Sequence, residues 1–146
     1  MTLSPARGAL PRGWPAAGHS SEQLKAGVHA RGYVAETTEK AVEDFYLGCA
    51  ALSPRSAKSA DGQPGTRAHF DGLRSPHGAL LVGNPDEVAV KVAAHSEALG
   101  GVSRIIFQMD VAGLPHEKHM RAIELLGKSV ALALRQKTRN AVNSGV

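Results

Sequence analysis

The segment Val102–Leu126 reads VSRIIFQMDVAGLPHEKHMRAIELL, and it decides the fold. The consecutive apolar residues Ile105, Ile106 and Phe107 lack the alternation of a half-exposed strand, so they predict a strand buried on both faces, as in parallel sheets. A short turn follows, and Pro115 opens the final helix, because proline suits the first helical position. The apolar face of that helix is expected to consist of Met120, Ile123, Leu126 or Gly127, Val130 and Leu134.

Another helix ends just before this segment. It begins at Asn84, a capping residue, and Pro85 takes the first helical position. Asp86 and Glu87 lie at the positive end of its dipole, and the pair Gly100-Gly101 is a strong end signal. Helix, strand, short loop and helix in this order are typical of an α/β fold with a parallel sheet.

An earlier strand and helix repeat this arrangement. The run Gly27–Ala35, GVHARGYVA, contains several β-formers and predicts a short strand. Thr37 or Thr38 can then cap a helix that continues through Leu47 and packs one face on the sheet. Weaker signals are a turn of helix at Phe70 and Leu73 and a brief apolar run at Ala79–Val82.

Three stretches lack any hydrophobic period. Residues 1–21 are rich in Pro, Gly, Ala and Ser and are expected to be poorly ordered. Residues 53–66 are expected to form a flexible excursion, and residues 138–146 a frayed tail. The folded domain is therefore expected to span residues 22–137.

The composition limits the kinds of partner. The net charge is +4, but the basic residues are scattered, and no aromatic residue is interleaved with their densest cluster, Arg135, Lys137 and Arg139, which argues against nucleic-acid binding. No apolar run approaches the roughly 20 residues that a membrane span needs. The single Cys49 cannot form an internal disulfide, so a reducing compartment, the cytoplasm, is expected. Neither nucleic acid nor a membrane is an expected partner.

The segment from His116 to His119 invites comparison with the zinc-protease motif His-Glu-x-x-His. That motif needs its histidines four residues apart, whereas these two are three apart and no motif supplies a third ligand. A histidine at a helix start more often bonds nearby backbone or faces solvent. We therefore expect no metal site.

Gln108 and Asp110 are the best candidates for a functional role. They follow the strand directly, and in parallel α/β folds the active groups lie just past the carboxyl ends of the strands. An amide at such a position can hydrogen-bond a planar heterocycle. Alternatively, the Asp110 side chain caps the following turn. The sequence leaves both possibilities open.

Three segments of the chain resemble the luciferase-like family of flavin-dependent monooxygenases and oxidoreductases. They are GVHARGYVAET from Gly27, GALLVGNPDEV from Gly78, and the stretch from FQMD at Phe107 through LPHEK at Leu114 to AIELLG at Ala122. The resemblance implies the last two strands and helices of a (β/α)8 TIM barrel. It also implies reduced flavin, FMN or a deazaflavin, a small-molecule substrate, and a cofactor site to which Gln108, Asp110 and His29 contribute.

A complete barrel takes about 250 residues and eight strands, whereas this chain offers two clear strands. The family's contacts with the flavin phosphate come mainly from earlier strands. We therefore expect a carboxyl-terminal portion of a longer enzyme, inactive alone and without a cofactor site of its own. The alternative is a non-catalytic module that covers its exposed apolar surface by self-association or by docking to a partner polypeptide.

Overall fold

The computed structural model describes residues 25–56 and 66–143, together with Gly18; for residues 49–56 and 141–143 it describes the backbone alone. The strands are β1 (Gly27–Val34), β2 (Leu81–Gly83) and β3 (Arg104–Gln108). The α-helices are α1 (Thr38–Ser56), α2 (Arg67–Arg74), α3 (Pro85–Ala98), α4 (His116–Leu125) and α5 (Ala131–Asn143). A 3₁₀ turn spans Asp110–Ala112, and a π-helical segment spans Leu126–Val130.

The strands form one three-stranded parallel sheet in the order β2-β1-β3. β3 pairs with the first part of β1, from Gly27 to Arg31, and β2 pairs with its last part, from Gly32 to Val34. The predicted parallel α/β fold is therefore confirmed. The apolar run at Ala79–Val82, which was not predicted to be a strand, contributes the short β2.

Helices cover the two faces of the sheet unequally. On one face, a cluster centred on Val34, Leu81 and Val88 packs the strands against α3 and the final helix. On the other face, Tyr33 and Val82 pack against the α1 residues Ala41, Val42 and Phe45. Tyr33 lies near the end of β1, so α1 covers that face only at the carboxyl ends of the strands.

β3 departs from the prediction that both of its faces are buried. Ile105 and Phe107 pack in the core, but Arg104 is exposed and Ile106 is 51% exposed. The physical reason is the position of β3 at the edge of the described sheet, with helices packed against one of its faces only.

The helix ends follow local signals. Thr37 caps α1, because its hydroxyl accepts a hydrogen bond from the backbone amide of Lys40 at 3.2 Å. The helix runs through Leu47, as predicted, and continues to Ser56. The first residues of the predicted excursion 53–66 are thus helical. Asn84 caps α3 as predicted, because its Oδ1 accepts a hydrogen bond from the backbone amide of Glu87 at 2.9 Å. Gly100 and Gly101 follow α3 with φ of 71° and 102°.

The final helix, which comprises α4, the π-helical segment and α5, is longer than predicted and buries a partly different face. It continues to Asn143, past the residue 137 at which the domain was expected to end. Its packing face includes Ala122, Leu126 and Val130, whereas Met120 and Ile123 are 51% and 50% exposed. The π-helical segment changes the helical repeat, so one uninterrupted period does not describe this face.

Several predictions lie outside the described residues. They concern residues 1–17 and 19–24, residues 57–65 of the excursion, residues 144–146, and the side chain of Cys49. Among the helices that are described, none is long and apolar enough to cross a membrane.

Candidate functional site

The pairing of β1 with β3 brings four side chains to one face of the sheet. His29 lies beside Ile106 and Arg31 beside Gln108. Because alternate residues of a strand share a face, and neighbours in register point the same way, these four side chains form one surface, which we call the open face. The structure therefore brings together two of the predicted site residues, His29 and Gln108.

The polar residues of the open face have no side-chain partners within the described part of the chain. His29 and Arg31 are exposed and Gln108 is half-buried, and none of these three side chains makes a hydrogen bond or ion pair there. Ile106 supplies an apolar surface among them. The guanidinium of Arg31 offers donors only, whereas the Gln108 amide offers donors and an acceptor. Such a surface can bind a flat, largely apolar group with a polar edge.

Sequence reasoning missed Arg31. The signal was available, because the alternation of a strand places Arg31 on the same face as His29, two residues earlier.

The third predicted site residue, Asp110, lies beyond the strand. It is exposed and begins the 3₁₀ turn that follows β3. Its side chain does not cap this turn; instead its backbone carbonyl accepts a hydrogen bond from the Gly113 amide at 3.1 Å. The structure thus does not show the capping role that was the alternative for Asp110, and its carboxylate remains available at the carboxyl end of β3.

The loop that carries Asp110 packs against α1 and α4, which an ion pair joins. A Cβ atom added to Gly48 of α1 would collide with the backbone of Ala112. The Lys118 ammonium lies 2.6 Å from the Asp44 carboxylate, and the His119 Nε2 lies 3.3 Å from the carbonyl oxygen of Met109. His119 therefore contacts nearby backbone. The residues described include no group of three or more side chains that could hold a metal ion.

Tyr33 closes the carboxyl end of the face to which His29 and Arg31 belong. Its ring stacks on Phe45 with centroids 6.2 Å apart, and its hydroxyl donates to Asp44 Oδ2 over 3.4 Å. Burial, followed by the negative charge of Asp44, raises the pKa of Tyr33 to about 12. The sequence carries no signal that pairs Asp44 with Tyr33 or Lys118.

Glu87 fixes the loops that follow β1 and β2. Its Oε2 accepts a hydrogen bond from the Thr38 hydroxyl at 2.6 Å, and its Oε1 accepts one from Arg74 at 2.8 Å. The Thr38 hydroxyl oxygen in turn accepts a hydrogen bond from the backbone amide of Asn84 at 3.2 Å. The start of α3 is therefore occupied by the protein's own side chains, which favours a structural role for it.

The described fold is shared with a solved flavoprotein monooxygenase. That protein is the oxygenating constituent of 3,6-diketocamphane monooxygenase from the CAM plasmid of Pseudomonas putida, a type II Baeyer–Villiger monooxygenase in complex with FMN. The TM-score is 0.62 and the sequence identity 24%, over 90% of this chain and 41% of that chain. The likeness shows a common fold, and this chain spans about two fifths of the other protein's length. Comparisons with protein-family models and with curated protein sequences give no match.

Proposed function

We propose that the chain forms part of the wall of a (β/α)8 barrel of the luciferase-like, flavin-dependent oxidoreductase kind, with β1 and β3 as the last two barrel strands. The observation that carries this proposal is the open face, where two parallel neighbouring strands present His29, Arg31 and Gln108 without side-chain partners in the described chain. On the opposite face of these strands, α3 and the final helix pack as helices do outside a barrel, while α1 covers the carboxyl end of the face that carries His29 and Arg31. The shared fold with an FMN-bound monooxygenase supports it.

The apolar and hydrogen-bonding groups of the open face are chemically complementary to a flavin ring. The isoalloxazine ring is flat and largely apolar, with carbonyl and nitrogen groups along one edge. In this proposal Ile106 packs against the ring and the Gln108 amide hydrogen-bonds its polar edge, while Arg31 stabilises negative charge there. His29 and Asp110 contribute further contacts with the cofactor. The bound flavin, FMN or a deazaflavin, would supply hydride transfer or oxygen activation.

We further propose that the chain alone is not a complete enzyme. The open face forms one side of a cofactor site, and in a (β/α)8 barrel catalytic residues come from the ends of several strands. The rest of the barrel would have to supply the other walls and the contacts with the flavin phosphate.

A titration with FMN tests this function. We expect the purified chain to bind FMN weakly, with a Kd above about 100 µM, because a single wall gives little burial to offset the cost of association. Amide resonances of residues 29–31 and 106–110 should shift, and Gln108→Ala and Arg31→Gln should reduce those shifts. Arg121→Gln, in the middle of an exposed ion-pair network with Glu36 and Glu124, is the matched control. Shifts confined to other residues would contradict the site. Tight stoichiometric binding would contradict the incomplete-site proposal.

A second candidate is a non-catalytic module that associates with another copy or another polypeptide. The observation in its favour is the exposure of Ile106, Met120 and Ile123, together with the edge position of β3 in the described sheet. Size-exclusion chromatography with light scattering over a range of concentrations tests it. A mass that rises with concentration supports this candidate, and a compact monomer throughout contradicts it.

A further inference from the structure

A second group of titratable side chains lies apart from the open face, between the carboxyl end of α2 and the second half of α3. We call it the Lys91 cluster, and it comprises Arg74, His77, Lys91 and His95. Lys91 is only 7% exposed, and its ammonium donates to the carbonyl oxygens of Leu80 at 2.7 Å and Arg74 at 3.0 Å.

Among the described residues, no carboxylate oxygen contacts the Lys91 ammonium directly. Its two partners are uncharged carbonyls, and among the described residues it forms no ion pair. Glu87 lies one helical turn earlier, but Arg74 and the Thr38 hydroxyl each occupy one of its oxygens. Burial, followed by the charge of Arg74, lowers the pKa of Lys91 to about 8, against the smaller opposing effect of the Glu87 carboxylate. A buried cation without a directly bonded counter-charge is costly, so a ligand that supplies negative charge would be stabilising.

Two more nitrogen atoms of the cluster lack partners. Arg74 Nε and His95 Nε2 are both buried without a hydrogen bond in the described structure. An arginine nitrogen can only donate, so Arg74 Nε requires an acceptor. His95 lies one turn after Lys91 on α3 and therefore on the same side of the helix. Lys91 uses two of its three donors, which leaves it one more.

We propose that the Lys91 cluster binds a single oxyanion of the phosphate or sulfate type. Such an anion would accept hydrogen bonds from Lys91, Arg74 Nε and His95 Nε2 and would balance the charge of Lys91. Within the cluster, Arg74 is half-buried and His77 is exposed, so these two residues form its solvent-facing side. This site is independent of the open face and of any flavin bound there.

The test uses the full chain and inorganic phosphate. Phosphate should raise the thermal midpoint in a saturable way, whereas chloride at equal ionic strength should not, and the His95 ring resonances should shift with the same Kd. FMN and riboflavin, added as competitors of inorganic phosphate, distinguish the source of the anion. If FMN displaces phosphate and riboflavin does not, the site accepts a phosphate ester. If phosphate binds and FMN does not displace it, the site is specific for the free ion. Failure of FMN to bind the open face would leave the phosphate result unchanged.

Variants separate the site from general charge effects. Arg74→Met and His95→Leu each remove one donor, and they should weaken phosphate binding at least about ten-fold. Arg67→Met is the matched control on the same helix, since Arg67 is exposed and pairs with Asp71; it should bind phosphate like the wild type. Arg74→Lys keeps the charge and removes Nε, so it tests the hydrogen bond if Arg74→Met fails to fold. An unresponsive wild type, as expected if water fills the cluster, or equal binding by all variants would overturn the proposal.

Discussion

The Lys118 ammonium lies 2.6 Å from the Asp44 carboxylate and so joins two helices that follow neighbouring strands. Asp44 belongs to α1, which comes after β1, and Lys118 belongs to α4, which comes after β3. The pair lies next to the loop that carries Asp110. It therefore ties the two strand-helix units together at the end of the sheet where the candidate site is located.

Asp44→Asn should destabilise the protein. The Asp44 side chain is 13% exposed and receives hydrogen bonds from both Lys118 and Tyr33, so loss of its charge should cost about 1–2 kcal/mol in the free energy of unfolding. Urea unfolding measures the change. Asp71→Asn breaks an exposed ion pair with Arg67 and should change stability by less than about 0.5 kcal/mol. Equal effects of the two variants would contradict a special role for Asp44.

Gly48→Ala should also destabilise the fold, for steric reasons. An added methyl group would collide with the backbone of Ala112, which cannot rotate away as a side chain can. We expect a loss of about 1–3 kcal/mol, measured as a lower urea midpoint. Gly72→Ala in α2 is the control, because nothing lies within 4 Å of its added Cβ, and it should gain up to about 1 kcal/mol from helix propensity. A stabilised Gly48→Ala variant would show that the loop does not pack on α1.

The two neighbouring isoleucines of β3 should respond differently to substitution. Ile106→Thr should change stability by less than about 0.5 kcal/mol, because Ile106 lies on the open face. Ile105→Thr should cost about 1–3 kcal/mol, because Ile105 packs against the core beneath α3 and the final helix. Thermal and urea unfolding measure both. Similar losses for the two variants would show that β3 is covered on both faces in solution.

Stability should rise with pH between about 8 and 10 because of Lys91. Its pKa is about 8 in the folded chain, below the ordinary lysine value of 10.5, so in this range the unfolded chain binds more protons than the folded one. The gain should be about 1–3 kcal/mol in buffer without phosphate. Above pH 10, Tyr33 should lower stability as the pH rises, because its pKa is raised to about 12 in the folded chain and the unfolded chain therefore loses this proton first. Lys91→Met should abolish the rise, while Lys128→Met, at an exposed site, should keep it. A wild type with flat stability over this range would contradict the burial of a charged Lys91.

Part of the candidate site was accessible from sequence because it depends on strand geometry alone. The order of residues predicted that Gln108 ends a parallel strand, and a two-residue period relates His29 to Arg31. The register of β1 against β3, which sets Arg31 beside Gln108, was not accessible. Nor was the contact of Lys118 with Asp44, because 74 residues separate them and no local pattern specifies a contact at that range.

The sequence by itself determined where the elements begin and change type. Asn84 with Pro85 began α3, Gly100 with Gly101 ended it, and the apolar run at Ile105 formed a parallel strand, because each of these signals acts through the backbone of a few adjacent residues. Tertiary structure alone decided which faces are covered. Ile106 and Ile105 are equally apolar, yet only Ile105 is packed in the core, since burial depends on the helices that distant parts of the chain place against each face.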